Sequence, residues 1–371
     1  MEKQGLEDIV VADSQVSLVD GRRGALVYRG YDIEDLVEHC SFEEVAHLIW
    51  TGELPTQREL DTLTRVLAAH RPLSEGMAHV LSELPASAPP MSVLRTCVSI
   101  LGLSDPRAES TEQAVNLEMA EELTAQVASI VASIHRIRRG LPPVRPEPGL
   151  SHAANFLYML TGRRPDGLAE RIFDDCLTLH ADHEFNASTF TARVIASTLS
   201  DIYSAVAGAI GALRGPLHGG ANQKVMVMLQ EIGDPATAAD YVRKLLAAKQ
   251  KIMGFGHRVY KTEDPRAAIL RRWCRELGDK LGQPQWAQIS ETIERVMLDE
   301  KGIHCNVDFY SASVYHMLGI PTDLFTPIFA VARVVGWTAH ILEQYANNRI
   351  IRPLSNYVGP TGLKVGPIGQ R

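Results

Sequence analysis

The chain has 371 residues, of which 45% are hydrophobic and 22% are charged, as is usual for a globular protein with a sizeable core. This length exceeds what one small core uses, so we expect two domains, or one large domain with a lobe. The formal net charge of −7 argues against a general nucleic-acid-binding surface. Any anionic ligand must therefore be bound by a local cluster of arginines and histidines.

The five cysteines are scattered along the chain, at positions 40, 97, 176, 274 and 305. No pair has a metal-ligand spacing, so we expect a reducing, cytoplasmic environment. The N-terminal stretch MEKQGLEDIV carries charges where a signal peptide would need an apolar stretch. The apolar run Ile202 to Leu213 is much shorter than the ~20 residues that span a bilayer. We therefore expect a soluble chain.

Most segments have the periodicity of helices. In SFEEVAHLIWTGELP, Ser41 is the predicted N-cap, Glu44 its capping-box partner and Gly52 the C-terminal stop. Comparable patterns predict helices over 60–69, 92–101, 111–139, 168–179, 190–213, 236–251, 265–281 and 286–301. The strongest strand signal is SLVDGRRGALVYRG, in which Asp20-Gly21 could turn a short hairpin. We therefore predict an all-α fold with a minor N-terminal β hairpin.

Two uncharged stretches, AVAGAIGAL at 205–213 and FYSASVYHMLGI at 309–320, are rich in small residues. Helices that are apolar on all sides are buried, and small residues let neighbouring helices approach closely. Their composition leaves open whether each belongs to the core or to a subunit interface.

The segment LHADHEFNASTF places His180 and His183 three residues apart. This spacing could provide two metal ligands on one helix face, but no third ligand has a matching spacing. A core or capping role is commoner for either histidine alone.

In GPLHGGANQKVM, His218 precedes a helix that we expect to begin near Asn222. The positive end of the helix dipole disfavours the imidazolium, and a neutral histidine can donate to an oxygen that gains negative charge. The alternative is an ordinary turn histidine in a glycine-rich loop.

The segment KIMGFGHRVYKTEDPRAAIL surrounds His257 with glycines and cations. The glycines are expected to expose backbone N–H groups, and the cationic side chains form a local group suited to phosphates. The alternative is a solvated charged loop.

Asp308 is the one acid at the edge of the apolar stretch FYSASVYHMLGI. Apolar surroundings disfavour the ionised carboxylate, which makes it a stronger base once it is ionised. The alternative is an N-capping aspartate at the start of a buried helix.

Taken together, LHADHEFNASTF, GPLHGGAN, MGFGHRVYKTEDPR, NVDFYSASVYHMLGI and TPIFAVARVVGWTAHILEQYANNRIIRP match, in order, the citrate synthase family. The resemblance is to the shorter bacterial and archaeal type and covers essentially the whole chain. It implies a large helical domain, residues 1–219 and 326–371, with a smaller helical domain, residues 220–325, that closes over the substrates. It also implies a homodimer.

The resemblance further implies condensation of acetyl-CoA with oxaloacetate, followed by hydrolysis of the citryl thioester. Asp308 would remove the methyl proton, His218 would donate a hydrogen bond to the enolate, and His257 would protonate the oxaloacetate carbonyl. Oxaloacetate would be bound by His183, Arg266, Arg333 and, from the partner subunit, Arg352. Coenzyme A would be bound by Lys251, Gly254, Phe255, Gly256, Arg258 and Lys261. No metal, other cofactor, nucleic acid or membrane is implied.

Three alternatives stay open at this point. A 2-methylcitrate synthase, which uses propionyl-CoA, would share every site residue, and one methylene is worth only ~1–3 kcal/mol of discrimination. A catalytically silent helical binding protein would lack His218, His257 or Asp308, all of which are present. A metal hydrolase would use His180 and His183.

Gln223 departs from the glutamate that many bacterial relatives have at this position. We expect neither regulation by NADH nor a hexamer.

Overall fold

The structure is a computed structural model that describes residues 4–6 and 9–371. Within these residues it contains sixteen α-helices and one three-stranded sheet, which confirms the predicted all-α fold with a minor β element. The first eight helices are α1 (Ile33–His39), α2 (Phe42–Thr51), α3 (Gln57–His70), α4 (Glu75–Glu83), α5 (Pro90–Ser104), α6 (Gln113–Arg138), α7 (His152–Thr161) and α8 (Gly167–His180). The others are α9 (Ala187–Ala196), α10 (Ile202–Leu213), α11 (Ala221–Ile232), α12 (Ala238–Ala247), α13 (Pro265–Leu281), α14 (Gln285–Lys301), α15 (Val307–Met317) and α16 (Phe325–Ala346).

The N-terminal sheet contains β1 (Ser17–Asp20), β2 (Ala25–Tyr28) and β3 (Tyr31–Asp32), all antiparallel in this order. The predicted hairpin is present, but its turn is longer than the two residues Asp20-Gly21. The turn spans residues 21–24, because the side chain of Asp20 accepts the N–H groups of Arg22 and Arg23 at 3.0 Å each. Its fourth residue, Gly24, has φ +68° and donates its N–H to the carbonyl of Asp20.

The tip of this hairpin lies against the loop between α12 and α13. The N–H of Lys261 donates to the carbonyl of Gly21 at 2.9 Å. A Cβ on Gly21 would lie 2.1 Å from the carbonyl oxygen of Val259, so only glycine allows this approach. The hairpin therefore supports a loop that contains one of the predicted catalytic residues.

Local sequence signals predicted several helices correctly. At α2 the Ser41–Glu44 capping box is present in both directions, and Gly52 ends the helix with φ +94°. The single helix predicted over 190–213 is wrong, because α9 ends at Ala196 and α10 begins at Ile202. Leu199 has a left-handed φ of +63°, and Asp201 starts α10 afresh by accepting the N–H of Ser204 at 2.8 Å.

Helix α16 is the centre of the core and packs against α2, α6, α8, α9 and α10. With the preceding turn, Thr322–Ala346, it is long and apolar enough to cross a membrane, but 89% of its most apolar window is buried within the protein. A core helix passes the same test of length and composition. The burial favours that interpretation.

The two uncharged stretches pack against helices of the same chain. Helix α10 contacts α5 and α9, and α15 contacts α11 and α13, which favours the core interpretation for both. Helices α11 to α15 pack chiefly on one another and meet the rest through α13 against α1 and α8, and α11 against α16.

Candidate active site

Six of the predicted site residues come from separate elements and converge on one region. His183 and His218 lie on turns before α9 and α11, and His257 lies in the loop before α13. Asp308 and Arg266 lie in the first turns of α15 and α13, and Arg333 lies within α16. The ring centroids of His183 and His257 are 5.2 Å apart. The charge of Arg333 acts on the pKa values of His183, His218 and Asp308 alike.

Nε2 of His218 has hydrogen-bond partners among the described residues, and Nδ1 has none. The backbone N–H of Ser188 donates to Nε2 at 3.3 Å, and because an amide N–H can only donate, we assign the ring proton of the neutral histidine to Nδ1. The pKa of His218 is lowered to about 4, by burial and then by the charge of Arg333. The neutral ring agrees with the sequence expectation, although burial, and not the helix end, is the main cause.

Glycines allow the close packing of the His218 turn. A Cβ on Gly219 would lie 2.2 Å from the carbonyl oxygen of Leu213. Gly220 has φ +78° and is the N-cap of α11, which begins at Ala221, one residue from the predicted start. The turn is therefore compact and places the imidazole close to α9.

The ring of His257 is held in the opposite tautomer. Its Nδ1 accepts the backbone N–H groups of Val259 and Tyr260, both at 3.1 Å, so we assign the proton to Nε2. Burial and then the charge of Arg266 lower the pKa of His257 to about 4. The ring packs against Tyr260, with centroids 4.7 Å apart. His257 is thus a neutral donor through Nε2.

Asp308 lies in the first turn of α15 but is not its N-cap. That position belongs to Asn306, whose Oδ1 accepts the N–H of Asp308 at 3.1 Å, so the N-cap interpretation of Asp308 is wrong. Among the residues that the structure describes, none donates a hydrogen bond to the carboxylate of Asp308. Burial raises its pKa to about 6, and outweighs the opposing charges of Arg266 and Arg333. The carboxylate is therefore a stronger base than an ordinary aspartate.

The buried guanidinium of Arg266 is paired with Asp264, which is also buried. Asp264 accepts from Nε at 2.9 Å and from Nη2 at 2.8 Å. The same carboxylate accepts the N–H of Val307 at 3.2 Å and so joins α13 to the start of α15. No local sequence signal identified this pairing of Asp264 with Arg266 in advance.

Arg333 is 1% exposed and donates from Nε to the carbonyl of His180 at 2.6 Å. Its guanidinium stacks over Phe329, 4.6 Å from the ring centroid. Burial lowers the pKa of Arg333 to about 10, so it is still a cation near neutral pH. Its terminal nitrogens have no partner within the described chain and can bind an anion.

The turn with His183 is braced by buried polar contacts that the sequence analysis did not identify. Asp182 accepts from Nε2 of His340 at 3.1 Å, and its carbonyl accepts the hydroxyl of Tyr28 at 2.9 Å. Nε2 of His183 is buried without a partner among the described residues, and burial, then Arg266, hold the pKa of this ring well below its usual range. A ligand oxygen would satisfy this nitrogen.

His180 belongs to the scaffold. Its Nδ1 contacts the carbonyl of Cys176 at 2.8 Å, and its ring packs edge-on against Phe329. Among residues 4–6 and 9–371, no group of three or more His, Cys, Asp and Glu side chains is placed to hold a metal ion. The structure thus gives no support to a metal bound by His180 and His183.

The residues predicted to bind coenzyme A lie around the His257 loop. Lys251, Arg258 and Lys261 are exposed there. The expectation that the glycines expose their N–H groups is wrong for Gly256, whose N–H donates to the carbonyl of His304 at 3.0 Å in a short bridge at Phe255.

Gly254 and Gly256 instead provide an unusual backbone, with φ +81° at each. A Cβ on Gly254 would lie 2.9 Å from side-chain atoms of both Phe309 and Val225. These glycines therefore let the loop pack directly on α15 next to Asp308.

Arg352 is not brought to the other site residues within one chain. It is exposed in the extended segment that follows α16. The preceding residue, Ile351, anchors this segment by donating its N–H to the hydroxyl of Ser197 at 3.0 Å. A cavity of 530 Å³ lies beside the His218 turn and is lined by Arg214, Gly219, Gly220, Gln223 and Lys224, among others. None of the three predicted catalytic residues lines it.

Comparisons with known proteins show the family to which the chain belongs. The family model for the citrate synthase C-terminal domain matches residues 5–354. The chain is 50% identical to a citrate synthase of Haloferax volcanii, over 100% of this chain and 99% of that protein. It is also 45% identical to a 2-methylcitrate synthase of Shewanella oneidensis, over 99% and 97% of the two chains.

Among solved structures, the fold is similar to a ternary complex of citrate synthase from Thermoplasma acidophilum with carboxymethyl coenzyme A and oxaloacetate. The TM-score is 0.93 at 32% identity, covering 99% of this chain and 98% of that one. The family resemblance found in the motifs is therefore confirmed over the whole length, and the chain belongs to the citrate synthase family.

Proposed function

We propose that this protein is a citrate synthase, which condenses acetyl-CoA with oxaloacetate and hydrolyses the resulting thioester to citrate and CoA. The observation that carries the proposal is a pair of neutral histidines with complementary tautomers, together with the carboxylate of Asp308, which accepts no hydrogen bond from the described residues and is affected by the same Arg333 charge as His218. Backbone N–H groups occupy Nε2 of His218 and Nδ1 of His257, and the other ring N–H of each histidine has no acceptor within residues 4–6 and 9–371. Carbon–carbon bond formation at a thioester needs one base and two such donors.

In the proposed reaction the carboxylate of Asp308 takes a proton from the methyl group of acetyl-CoA. Nδ1–H of His218 donates to the thioester oxygen, which becomes negative as the enolate forms. The enolate carbon attacks the ketone carbon of oxaloacetate, and Nε2–H of His257 transfers its proton to the ketone oxygen. The methyl proton held by Asp308 balances this loss, and its return to the imidazole restores both groups to their starting states. Water then cleaves the citryl thioester and releases CoA.

Oxaloacetate is a dianion, and its binding is assigned to His183, Arg266, Arg333 and the Arg352 of a second subunit. Nε2 of His183 supports this assignment, because it is buried without a partner among the described residues. The terminal nitrogens of Arg333 also support it, since only Nε of that side chain donates to the described part of the chain. The exposed position of Arg352 supports its contribution to another copy. The functional unit would then be a homodimer with shared sites.

We assign residues 220–325 to a closing lobe, supported by the dense packing of α11 to α15 on one another. Closure would exclude water until both substrates are bound, which protects acetyl-CoA from premature hydrolysis. Coenzyme A would lie along the loop from Lys251 to Lys261. The reaction needs no cofactor beyond the CoA thioester, and five free cysteines suit a cytoplasmic location.

The second candidate is a 2-methylcitrate synthase, which is favoured by the 45% identity to the Shewanella oneidensis enzyme. We favour acetyl-CoA because the relative at 50% identity is a citrate synthase. The test is a thiol-release assay with oxaloacetate and either acetyl-CoA or propionyl-CoA, comparing kcat/KM. A higher value with propionyl-CoA would replace the first candidate with the second, and no thiol release with either would overturn both.

A further inference from the structure

The hydroxyl of Ser188 lies at the centre of three buried polar contacts. Nε1 of Trp337 donates to Oγ of Ser188 at 3.0 Å. Nε2 of His218 and Oδ1 of Asn186 lie 2.8 Å from the same oxygen. Both Ser188 and Trp337 are 0% exposed, so bulk solvent does not reach these contacts.

A serine hydroxyl has one proton to donate and two lone pairs to accept with, while an indole N–H only donates. Trp337 therefore occupies one lone pair of Ser188. In one arrangement the hydroxyl proton goes to Nε2 of His218, whose own proton stays on Nδ1. In the other the proton goes to Asn186, and Nε2 of His218 carries a proton that it donates to Ser188.

We propose that Trp337 is a positioning residue that, through the Ser188 hydroxyl, keeps the ring proton of His218 on Nδ1. Donation by the indole polarises the hydroxyl, which makes it a better donor to His218 and a poorer acceptor of a second N–H. The backbone N–H of Ser188, 3.3 Å from Nε2, opposes a proton there as well. Oδ1 of Asn186 competes for the hydroxyl proton at 2.8 Å, but it keeps the N–H groups of Ser188 and Thr189, both at 3.1 Å, when that proton goes to His218.

The functional meaning of this tautomer rests on the function proposed above, in which Nδ1–H meets the thioester oxygen. Without the indole N–H, part of the population would carry the proton on Nε2 and present a lone pair to that oxygen. Such molecules would bind oxaloacetate normally and fail in enolate formation.

Trp50, in α2, provides a matched control, because its indole contacts Thr338, the residue after Trp337. Nε1 of Trp50 donates to the hydroxyl of Thr338 at 2.9 Å, and Trp50 is 6% exposed. This contact also joins a buried indole to a hydroxyl near the middle of α16. Thr338 passes its own proton to main-chain carbonyls of α16 and not to a site residue.

The experiment compares Trp337→Phe with Trp50→Phe in the full-length protein, using the thiol-release assay. We expect Trp337→Phe to lower kcat by ~10-fold or more, with the KM for oxaloacetate within about twofold of wild type. Trp50→Phe should keep kcat within about twofold. Equal kcat values for the two variants would overturn the proposal.

Nitrogen-15 NMR of the histidine rings provides a readout that does not depend on turnover. The His218 signals are identified by their loss in His218→Gln, and wild type should show protonated Nδ1 and unprotonated Nε2. Trp337→Phe should shift the pattern toward protonated Nε2, and an unchanged tautomer would overturn the proposal. If wild type shows a proton on Nδ1 of His218 but has no turnover, the proposed function is wrong, while the proposed role of Trp337 in setting the tautomer is not affected.

A further substitution covers the possibility that Trp337→Phe folds poorly. Benzothienylalanine at position 337 has the shape of tryptophan but replaces the N–H with sulfur. It should reproduce the loss of kcat, whereas a packing role for Trp337 predicts wild-type turnover. Ser188→Thr, which keeps the hydroxyl, should retain more activity than Ser188→Ala.

Discussion

The carboxylate of Asp264 holds the guanidinium of Arg266 through two hydrogen bonds, of 2.9 and 2.8 Å, in the interior of the protein. It also accepts the N–H of Val307, the residue before Asp308. One side chain therefore fixes both a proposed substrate-binding arginine and the helix that contains the proposed base.

Replacement of Asp264 by alanine should be strongly destabilising, because it leaves the charge of Arg266 buried without a partner. We expect the free energy of unfolding to fall by about 3–5 kcal/mol, measured by urea denaturation. The KM for oxaloacetate should rise as well. The exposed pair of Arg243 and Glu300 is the control, and Glu300→Ala should change stability by less than about 1 kcal/mol. Similar losses in both variants would contradict the special role of Asp264.

The proposed proton-transfer residues should affect the chemical step. We expect Asp308→Ala and His257→Ala each to lower kcat by at least ~10²-fold, with the variant still folded and in its wild-type oligomeric state. Steady-state kinetics and size-exclusion chromatography measure these two properties. Near-normal turnover of either variant would remove that residue from the mechanism.

The pH dependence should follow the carboxyl of Asp308, whose pKa burial raises to about 6. The base acts only when it is ionised, so kcat/KM should fall about tenfold per pH unit below pH 6. Both histidines, with pKa values lowered to about 4, stay neutral in this range and add no second ionisation. An activity that stays flat down to pH 5 would contradict this assignment.

Stability gives an independent check of the same pKa. Because the folded-state pKa lies above the ordinary value of 3.8, the protonated carboxyl stabilises the fold below about pH 4, and this contribution is lost as the pH rises through 6. Asp308→Asn should therefore raise the free energy of unfolding by about 3 kcal/mol at pH 8 and by little at pH 4. The comparison uses denaturant titrations at both pH values.

Gly254 should not tolerate alanine, since it combines φ +81° with a gap too small for a Cβ. Gly254→Ala should lower the free energy of unfolding by about 2–4 kcal/mol and displace Phe309, next to Asp308, so that kcat falls too. The control is Gly282→Ala, where φ is +65° and nothing lies within 4 Å of the new Cβ. It should cost only about 1 kcal/mol. Equal costs would mean that the contacts of Gly254 do not matter.

Subunit mixing tests the shared site. Arg352→Ala and Asp308→Ala should each be inactive alone, but a mixed dimer would have one site with both residues intact. After equal mixing and verified exchange, activity should recover to about a quarter of the wild-type value, because half of the dimers are mixed and each has one working site. No recovery would count against a contribution of Arg352 across the interface.

The parts of this protein that depend on neighbouring residues could be predicted from the sequence. The capping box at Ser41, the αL stop at Gly52 and the start of α11 all follow from local backbone chemistry. The break between α9 and α10 was missed, because apolar periodicity continues through a segment in which Leu199 turns left-handed. Periodicity alone does not reveal a change of backbone conformation.

The site shows the same difference between what local sequence reveals and what depends on the folded chain. His218, His257 and Asp308 stand in motifs that a family resemblance can identify. Asp264 and Trp337 could not be identified as partners in this way. Trp337 acts on Ser188, 149 residues earlier in the chain, and such contacts exist only after folding.

The hydrogen bond between Lys261 and Gly21 has a consequence for how the enzyme is made. The two residues are about 240 positions apart, a long-range contact of the kind that forms late. During synthesis the hairpin emerges from the ribosome long before the loop it will touch, and it must wait for most of the polypeptide. A version of the enzyme without its first 24 residues would retain every reacting side chain, yet the His257 loop would lose its contacts with the hairpin at Gly21 and Gly24.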